Sequence, residues 1–319
     1  MYSIQKTRTL LMMGVFAWSA ASHAAYPEKD ISVIVPYGAG GSTDVIVRTV
    51  SQHMQRSLGK AVVATNRTGA QATLGPALVA KAPADGYTMG ALTYSAVAIT
   101  PHLMPVPYTV ESFDYIGAFG RYQFGLAVRA DAPYKTLQEF VAHAKNATKP
   151  VFFGSGGAPN NLAFFALGRN TGAKFEEVTY KGGLESVNAL LGGQVEAVIQ
   201  APSEILPHVK SGSLRLLASA SPTRWKESPD TPTLNEAGHN VEIDSWVGFI
   251  VPAGTPVAAR QALAQAAKAA VEDSHVRSSL SSMGVESSWM PGEQFKRNLA
   301  DLHRAMPAQL KEAGMLGKR

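Results

Sequence analysis

The sequence predicts an α/β protein built as two similar lobes with a cleft between them. Short apolar runs alternate with longer amphipathic segments along most of the chain, a pattern typical of strand–helix units in mostly parallel sheets flanked by helices. Two such series each contain a glycine-rich loop between a strand and a helix. Two further passages, near 115–129 and 240–251, carry strands without intervening helices. We expect these passages to cross between the lobes as a two-stranded hinge.

The individual elements follow from local signals. In the first series, a strand at 31–36 ends at Pro36, and a helix at 43–58 ends at Gly59. Strands at 62–66 and 87–93 follow, with a helix at 73–81 between them. In the second series the predicted helices (136–147, 160–171, 184–191, 205–211) alternate with strands (151–153, 175–179, 195–200, 214–220). A strand at 245–251 precedes a C-terminal region from Pro256 onward that reads as helices alone.

The N-terminal segment has the pattern of a cleavable secretory signal. Lys6 and Arg8 form a basic start, residues 10–21 are apolar, and Ser22-His23-Ala24 supplies small residues for cleavage after Ala24 or Ala25. The apolar run is shorter than the roughly 20 residues that span a bilayer. Since no cysteine lies near the cleavage site, we expect an exported protein without a lipid anchor.

Composition excludes several functional classes. The chain contains no cysteine, so burial and not disulfide bonding stabilises it. The formal net charge of +5 is dispersed, and no basic run predicts nucleic-acid binding. The length fits two domains of roughly 100–200 residues each. We divide the chain into a signal peptide (1–24), a first lobe (25–120 and 246–319) and a second lobe (121–245).

The first glycine loop predicts an anion site. Exposed N–H groups at a helix start carry partial positive charge, and glycine lets a ligand approach the backbone closely. A Walker loop is excluded because no lysine precedes Ser42, and a dinucleotide fingerprint because Thr43 stands where a glycine is required. The alternative is a loop that only caps a helix. The predicted ligand-binding residues of this loop are Tyr37, Gly40, Gly41, Ser42, Thr43 and Asp44.

The second glycine loop, "FFGSGGAPNN", repeats this design in the other lobe. Neither loop contains Lys or Arg, so the donors are dipolar, which suits a carboxylate. A third strand-to-helix loop brings one cation, Lys181, although it also fits a plain turn. The predicted ligand-binding residues outside the first loop are Tyr94, Ser95, Ser155, Gly156, Gly157, Asn160, Lys181, Gln200 and Ala201.

Catalysis finds little support in the sequence. A hydrolase would use Ser42 or Ser155, but Asp44 stands where the second glycine of G-x-S-x-G is needed, and the glycine two residues before Ser155 is missing. The histidines fall mostly on predicted helix faces. No H-x-x-x-H, H-E-x-x-H or paired-carboxylate cluster suggests a metal. We therefore expect neither an enzyme nor a cofactor.

Several motifs resemble one family, the tripartite tricarboxylate transporter substrate-binding proteins of the Bug or TctC type. The resemblance covers nearly the whole mature chain in order. The motifs that carry it are "YPEKDISVIVPYGAGGSTDVIVR", "NRTGAQATLG", "ADGYT", "YKGGLESVNALLGGQVEAV", "PHVKSGSLRLLA", "TPTLNEAG" and "WVGFIVPAGTP".

The resemblance implies a type II-like, Venus-flytrap periplasmic binding protein that closes on a small ligand. It implies delivery to a two-subunit membrane permease driven by an ion gradient, and a ligand carboxylate held by residues 37–44 and 154–160, often through water. The chain departs from the family at Thr68-Gly69 and Gln71-Ala72. It also has Gln200-Ala201 where many members place Asp or Asn, which weighs against an amino-acid ligand.

We therefore expect a monomeric periplasmic protein that binds a dicarboxylate, a tricarboxylate or an aromatic carboxylate. One alternative is a ligand-loaded sensor partner of a membrane kinase, which would use the same cleft. The other is a secreted α/β hydrolase, which would require a serine–histidine pair within hydrogen-bond reach in the cleft.

Overall fold

The structure is a computed structural model that describes residues 26–316, so the predicted signal peptide (1–24) lies outside the described residues. The described chain forms one sheet of six strands and one of five. The strands are β1 (Ile31–Val35), β2 (Val62–Asn66), β3 (Thr88–Thr93), β4 (Phe113–Tyr122), β5 (Gly125–Arg129), β6 (Val151–Ser155), β7 (Phe175–Thr179), β8 (Ala197–Gln200), β9 (Leu214–Ser219), β10 (Ser245–Pro252) and β11 (Val285–Pro291).

Helices cover the sheets and connect the parallel strands. They are α1 (Ser42–Leu58), α2 (Leu74–Ala80), α3 (Tyr94–Ala98), α4 (Thr100–Leu103), α5 (Leu137–Asn146), α6 (Ala158–Thr171), α7 (Gly183–Leu191), α8 (Pro202–Lys210), α9 (Val257–Glu272), α10 (Ser274–Ser282) and α11 (Gly292–Glu312).

Helix α1 shows how the sequence dictates an element that borders the cleft. Ile46, Val47, Val50 and Met54 recur at helical spacing and are fully buried against the first sheet. Gly59 has a φ of 65° and ends the helix, because glycine adopts the left-handed backbone conformation more readily than other residues. The apolar stripe therefore fixes which way the first turn of the helix faces.

The first sheet has the strand order β11-β4-β10-β3-β1-β2. β1 pairs in parallel with β2 and with β3, so the carboxyl ends of these three strands lie at one edge. β10 pairs antiparallel with both β3 and β4, and β11 pairs antiparallel with β4. Loops that follow β1 and β3 are therefore neighbours.

The second sheet has the order β7-β6-β8-β5-β9. β6 pairs in parallel with β7 and β8, while β5 pairs antiparallel with β8 and β9. The loops that follow β6, β7 and β8 consequently emerge side by side.

Two chain passages join the sheets and bond to each other where they cross. β4 ends in the first sheet at Tyr122, and β5 begins in the second at Gly125. Between them, the Phe124 N–H donates to Ser221 Oγ (2.8 Å), and the Ala220 N–H donates to Phe124 O (2.8 Å). The Ile243 N–H then donates to Ala220 O (2.7 Å) on the return passage.

The predicted class, two α/β lobes with flanking helices, is confirmed. The expectation of mostly parallel sheets needs correction, because the strands adjoining the crossings (β4, β10 and β5) pair antiparallel and make both sheets mixed. The C-terminal region also contains a strand that was predicted as helix. β11 is a polar segment at the edge of the sheet, so it lacks the apolar run that marks a buried strand.

Candidate functional site

The structure places every predicted ligand-binding residue at the carboxyl end of a strand. Those of the first loop follow β1, and Tyr94 and Ser95 follow β3. In the second sheet the loops after β6, β7 and β8 carry the rest, with Ser155 and Gln200 as the last residues of their strands. Because these strands are parallel neighbours, the predicted residues gather into one cluster in each lobe, the arrangement in which open α/β sheets bind ligands.

Asp44 organises the first loop from within helix α1. Its carboxylate accepts hydrogen bonds from the Gly40 N–H (2.9 Å), from Arg48 Nε (2.9 Å) and from Asn66 Nδ2 (2.8 Å). Burial disfavours the ionised form, but the bonds from Arg48, Gly40 and Asn66 outweigh it and lower the pKa of Asp44. Asn66 also donates to Tyr37 O (2.9 Å), which joins both ends of the loop.

Of the described helices that begin at these loops, four have an N-cap residue with no side-chain hydrogen-bond acceptor. α1, α6, α7 and α8 have Gly41, Gly157, Gly182 and Ala201 as N-cap residues. By contrast, Thr136 caps α5 and Asp273 caps α10 through side-chain oxygens. Prolines at the starts of α9 and α11 also give no cap. The loops of the two clusters thus present helix N–H groups that no side chain satisfies.

The free donors of α1 can be named. The first intrahelical bond runs from the Val45 N–H to Gly41 O (3.0 Å), so the N–H groups of Ser42, Thr43 and Asp44 have no acceptor within the helix. The Ser42 side chain makes no hydrogen bond within residues 26–316 and is half-buried. Arg48, the cation on this part of the helix, is paired with Asp44. The donors at this edge are therefore mainly dipolar.

Tyrosine and threonine hydroxyls line the first lobe beside this helix start. Tyr37 OH lies 2.6 Å from Thr93 Oγ1, which lies 3.1 Å from Ser95 Oγ. Burial, opposed by the bonds to Thr93 and Ser95, raises the pKa of Tyr37. Burial raises the pKa of Tyr94 as well, with smaller contributions from Asp244 and Tyr37. These phenols stay neutral near pH 7. Thr93 was not among the predicted residues.

Tyr122 is a further residue that the sequence analysis missed. Its hydroxyl lies 2.5 Å from Thr43 Oγ1, and both residues are buried. Burial raises the pKa of Tyr122, with Tyr37 and Glu204 adding to the effect of burial and Thr43 opposing it. Tyr122 is the last residue of β4, the strand that leads into the crossing. Its position as a polar side chain in a predicted interlobe passage is the sequence feature that could have identified it.

In the second lobe, Ser155 and Asn160 hold their own loop. Ser155 is 1% exposed, and its Oγ accepts from the Gly157 N–H (3.2 Å). The Asn160 amide donates to Ile199 O, which ties the start of α6 to β8. Their polar atoms are thus engaged in pinning the loop.

Gln200 holds the third loop in the same way. Its Nε2 donates to Ser186 Oγ (2.8 Å), and Ser186 Oγ donates to Gly183 O (2.8 Å). A Cβ added to Gly156 would lie 3.0 Å from both Gln200 Nε2 and the Gly183 nitrogen, so the second and third loops touch. Lys181 is exposed, and its backbone N–H donates to Glu185 Oε2 (3.0 Å).

Glu204, in the first turn of α8, adds an acid that the sequence analysis did not identify. Its carboxylate packs so closely on Gly183 that a Cβ there would overlap both oxygens. Burial, opposed by a backbone hydrogen bond at Ala201, raises the pKa of Glu204 to about 6. Gln200 and Ala201 were predicted because they lie where a strand passes into a helix. Glu204 lies only four residues past the end of that strand, so the same reasoning could have identified it.

Other chemistries were also sought in the described residues. No group of three or more metal-ligating side chains occurs within residues 26–316. Over the same range, no serine hydroxyl is hydrogen-bonded to a histidine ring. None of the described helices combines the length and the apolar character that crossing a bilayer requires.

Two α/β lobes on two crossings, with uncapped helix starts at the carboxyl-end loops of each sheet, are typical of two-lobed solute-binding proteins. Residues 46–315 match the family described as Tripartite tricarboxylate transporter family receptor. The chain belongs to this family of periplasmic solute receptors, as the sequence resemblance predicted.

Relatives and solved structures agree with this assignment. The chain is 32% identical to the UPF0065 protein in the gbd 5′ region of Cupriavidus necator, over 95% of this chain and 93% of that protein. It is 35% identical to the protein BugT of Bordetella pertussis, over 78% of this chain and 80% of the relative. A TctC solute binding protein from Polaromonas superimposes with a TM-score of 0.75 at 30% identity, over 90% of this chain and 99% of that one.

Two more distant proteins share the fold and were solved with ligands. A protein of R. palustris with adipate has a TM-score of 0.84 at 24% identity, covering 91% of this chain and 98% of that one. MatC from Rhodopseudomonas palustris with bound malate has a TM-score of 0.78 at 24% identity, covering 90% of this chain and all of that one.

Replacing Asp44 by Asn tests its role in holding the first loop. The variant loses the charge-assisted bonds from Arg48 and Gly40, so we expect the free energy of unfolding to fall by roughly 1.5–3 kcal/mol, measured by urea denaturation. Glu185→Gln is the matched control, because Glu185 accepts a similar N–H bond from the residue four positions earlier but is exposed. We expect a change within about 0.5 kcal/mol for this control. Equal effects of the two substitutions would contradict the assignment.

Glu204 makes stability depend on pH in a defined direction. Because burial raises its pKa from the ordinary 4.5 to about 6, the folded protein binds more protons than the unfolded chain between these values. Its contribution is full below pH 4.5 and is lost as the pH rises through about 6, a loss of roughly 2 kcal/mol. We expect the difference in unfolding free energy between wild type and Glu204→Gln to change by this amount across the window. A difference that does not vary with pH would contradict it, since the other carboxyls cancel in the comparison.

Proposed function

We propose that this protein captures a small carboxylate in the cleft between its lobes and delivers it to a two-subunit permease of the tripartite tricarboxylate type. The observation that carries the proposal is the set of uncapped helix starts at the carboxyl-end loops of both sheets, α1 in one lobe and α6, α7 and α8 in the other. Such groups favour an anion, and oriented N–H donors suit a carboxylate without requiring a cation.

In the proposed mechanism each lobe supplies part of the clamp. The N–H groups of Ser42 and Thr43, with the Ser42 hydroxyl, bind one side of the ligand. The loop from Gly156 to the start of α6 approaches from the other side. Contacts in both lobes are complete only when the cleft is closed, so the ligand shifts an existing equilibrium toward the closed state.

The ligand class and the location rest on several supports. The family consists of tricarboxylate transporter receptors, and proteins of the same fold hold adipate and malate. We propose a dicarboxylate, a tricarboxylate or an aromatic carboxylate as ligand. The signal peptide proposed for residues 1–24 would export the chain to the periplasm. We propose that the mature protein acts there as a monomer with two lobes, one formed by residues 25–120 and 246–319 and the other by residues 121–245.

A thermal-shift experiment tests the carboxylate assignment. The processed protein is heated alone and with each member of a panel of dicarboxylates, tricarboxylates and aromatic acids. A ligand that binds only the folded state raises the melting temperature, corresponding to about 2.7 kcal/mol at a hundredfold excess over its Kd. We expect at least one acid to do so. If neither the aliphatic nor the aromatic acids raise it, the carboxylate assignment is wrong.

The two loop serines give a sharper prediction. Ser42 Oγ has no hydrogen-bond partner in the described chain, while Ser155 Oγ is buried and bonded to Gly157. If the Ser42 hydroxyl contacts the ligand, Ser42→Ala weakens binding by about 1–3 kcal/mol in titration calorimetry without lowering the melting temperature of the free protein. Ser155→Ala should instead lower that melting temperature. Unchanged affinity in Ser42→Ala would leave the backbone N–H groups as the donors.

A further inference from the structure

Glu204 lies where the second lobe meets the first near the crossings. The preceding Pro202 packs against Gly284 of the first lobe, and the carbonyl of Gly284 accepts from the Gln123 N–H (3.0 Å) in the crossing passage. Glu204 is also close enough to Tyr122 for its charge to add to the effect of burial on the pKa of that phenol. Tyr122 in turn touches Thr43 at the start of α1. Through Tyr122, one carboxylate of the second lobe is therefore linked to the helix start that the proposed function uses.

The same carboxylate borders the loops of its own lobe. It packs on the backbone of Gly183 at the start of α7, and Gly183 adjoins Gly156 of the second glycine loop. Glu204 thus stands beside the loops of both lobes.

Glu204 has no ionic partner in the described chain. None of the ion pairs found within residues 26–316 involves it, and no side chain there donates a hydrogen bond to its oxygens. The charged groups on adjoining segments are engaged or lie elsewhere. Glu185 accepts from the Lys181 N–H, the Lys181 side chain is exposed, and His208 and Lys210 lie in the last turn of α8.

Glu204 is a shielded carboxylate with one backbone donor, at Ala201, and no side-chain donor within the described residues, and this limits what can bind beside it. An ionised carboxylate has about four acceptor sites and no donor, and its burial stays unfavourable while most of these sites have no partner. A second ligand carboxylate placed there would meet a like charge. A hydroxyl or ammonium group of the ligand would instead donate a hydrogen bond to the Glu204 carboxylate.

We propose that Glu204 is a specificity-determining residue of the cleft, whose carboxylate accepts a hydrogen bond from a hydroxyl or ammonium group of the bound acid. The helix starts bind the ligand carboxylate, and Glu204 accepts a hydrogen bond from the donor group at the other end of the ligand. This inference rests on the proposed function and narrows the ligand to a hydroxy or amino acid derivative of the carboxylate classes given above.

Titration calorimetry with matched ligands tests the inference on the processed full-length protein at about pH 8, where Glu204 is ionised. Succinate, malate and aspartate share a four-carbon diacid skeleton and differ in carrying no donor, a hydroxyl or an ammonium group. Phenylacetate, mandelate and phenylglycine form the equivalent aromatic set. We expect wild type to bind the hydroxyl or the ammonium member at least about tenfold more tightly than the member without a donor. Comparing the hydroxyl and ammonium members of each set shows which of the two donor groups Glu204 prefers.

Glu204→Gln should reduce that preference at least about fivefold, since an amide accepts a weaker hydrogen bond than a carboxylate. Glu185→Gln, an exposed acid on the neighbouring helix, should leave it unchanged. The melting temperature of each free variant shows that it is folded. Wild type that binds an acid without any donor preference, or a preference that survives in Glu204→Gln, overturns the inference and leaves the proposed function standing. Binding of none of the six acids overturns the inference, whereas the proposed function is overturned only if the wider thermal-shift panel, which includes tricarboxylates, fails as well.

Discussion

The candidate site depends on one constraint, namely that four helices start at the cleft with N-cap residues that have no capping oxygen. Glycine at positions 41, 157 and 182 and alanine at 201 provide no side-chain acceptor for the first turns of α1, α6, α7 and α8, so the N–H groups there that lack a backbone acceptor are left to other acceptors. Buried or half-buried backbone donors are almost always satisfied in folded proteins. The free N–H groups at such helix starts therefore require water or an anionic ligand as acceptor, which is the basis of the carboxylate proposal.

The buried polar side chains of the loops stabilise the loops themselves. Asp44, Asn160 and Gln200 are each at most 4% exposed, and each already bonds to neighbouring backbone or side-chain atoms. A buried polar group left without a partner destabilises the fold in the absence of ligand, so these residues pin the loops in both ligand-free and bound protein. Their contact with a ligand stays a prediction. The geometry favours a division in which side chains fix the loops and backbone groups, with Ser42, face the cleft.

The sequence predicted the features that local chemistry determines. Pro36, the glycines and the apolar stripe of α1 locate a strand, a loop and a helix start within a few residues of each other, and parallel strands bring such loops to one edge. Pairing across a sheet is different, because it depends on residues far apart in the chain. Strand β11 is polar and stabilised by pairing with β4, so no local run revealed it. Thr93 and Tyr122 escaped notice for the same reason, since each is defined by a hydroxyl partner more than 50 residues away.

Glu204 shows how the polarity of the cleft and its closure are connected. The helix starts supply donors on both sides, and one carboxylate beside the crossings supplies an acceptor. The bonds of Phe124, Ala220 and Ile243 join the two passages at the crossing itself, outside both sheets, so the closure proposed above would not require the sheets to change. A ligand with an acid at one end and a donor at the other fills both kinds of group only when the lobes are close. The chemistry that selects the ligand is then the same chemistry that favours the closed state, because selection and closure draw on one set of contacts.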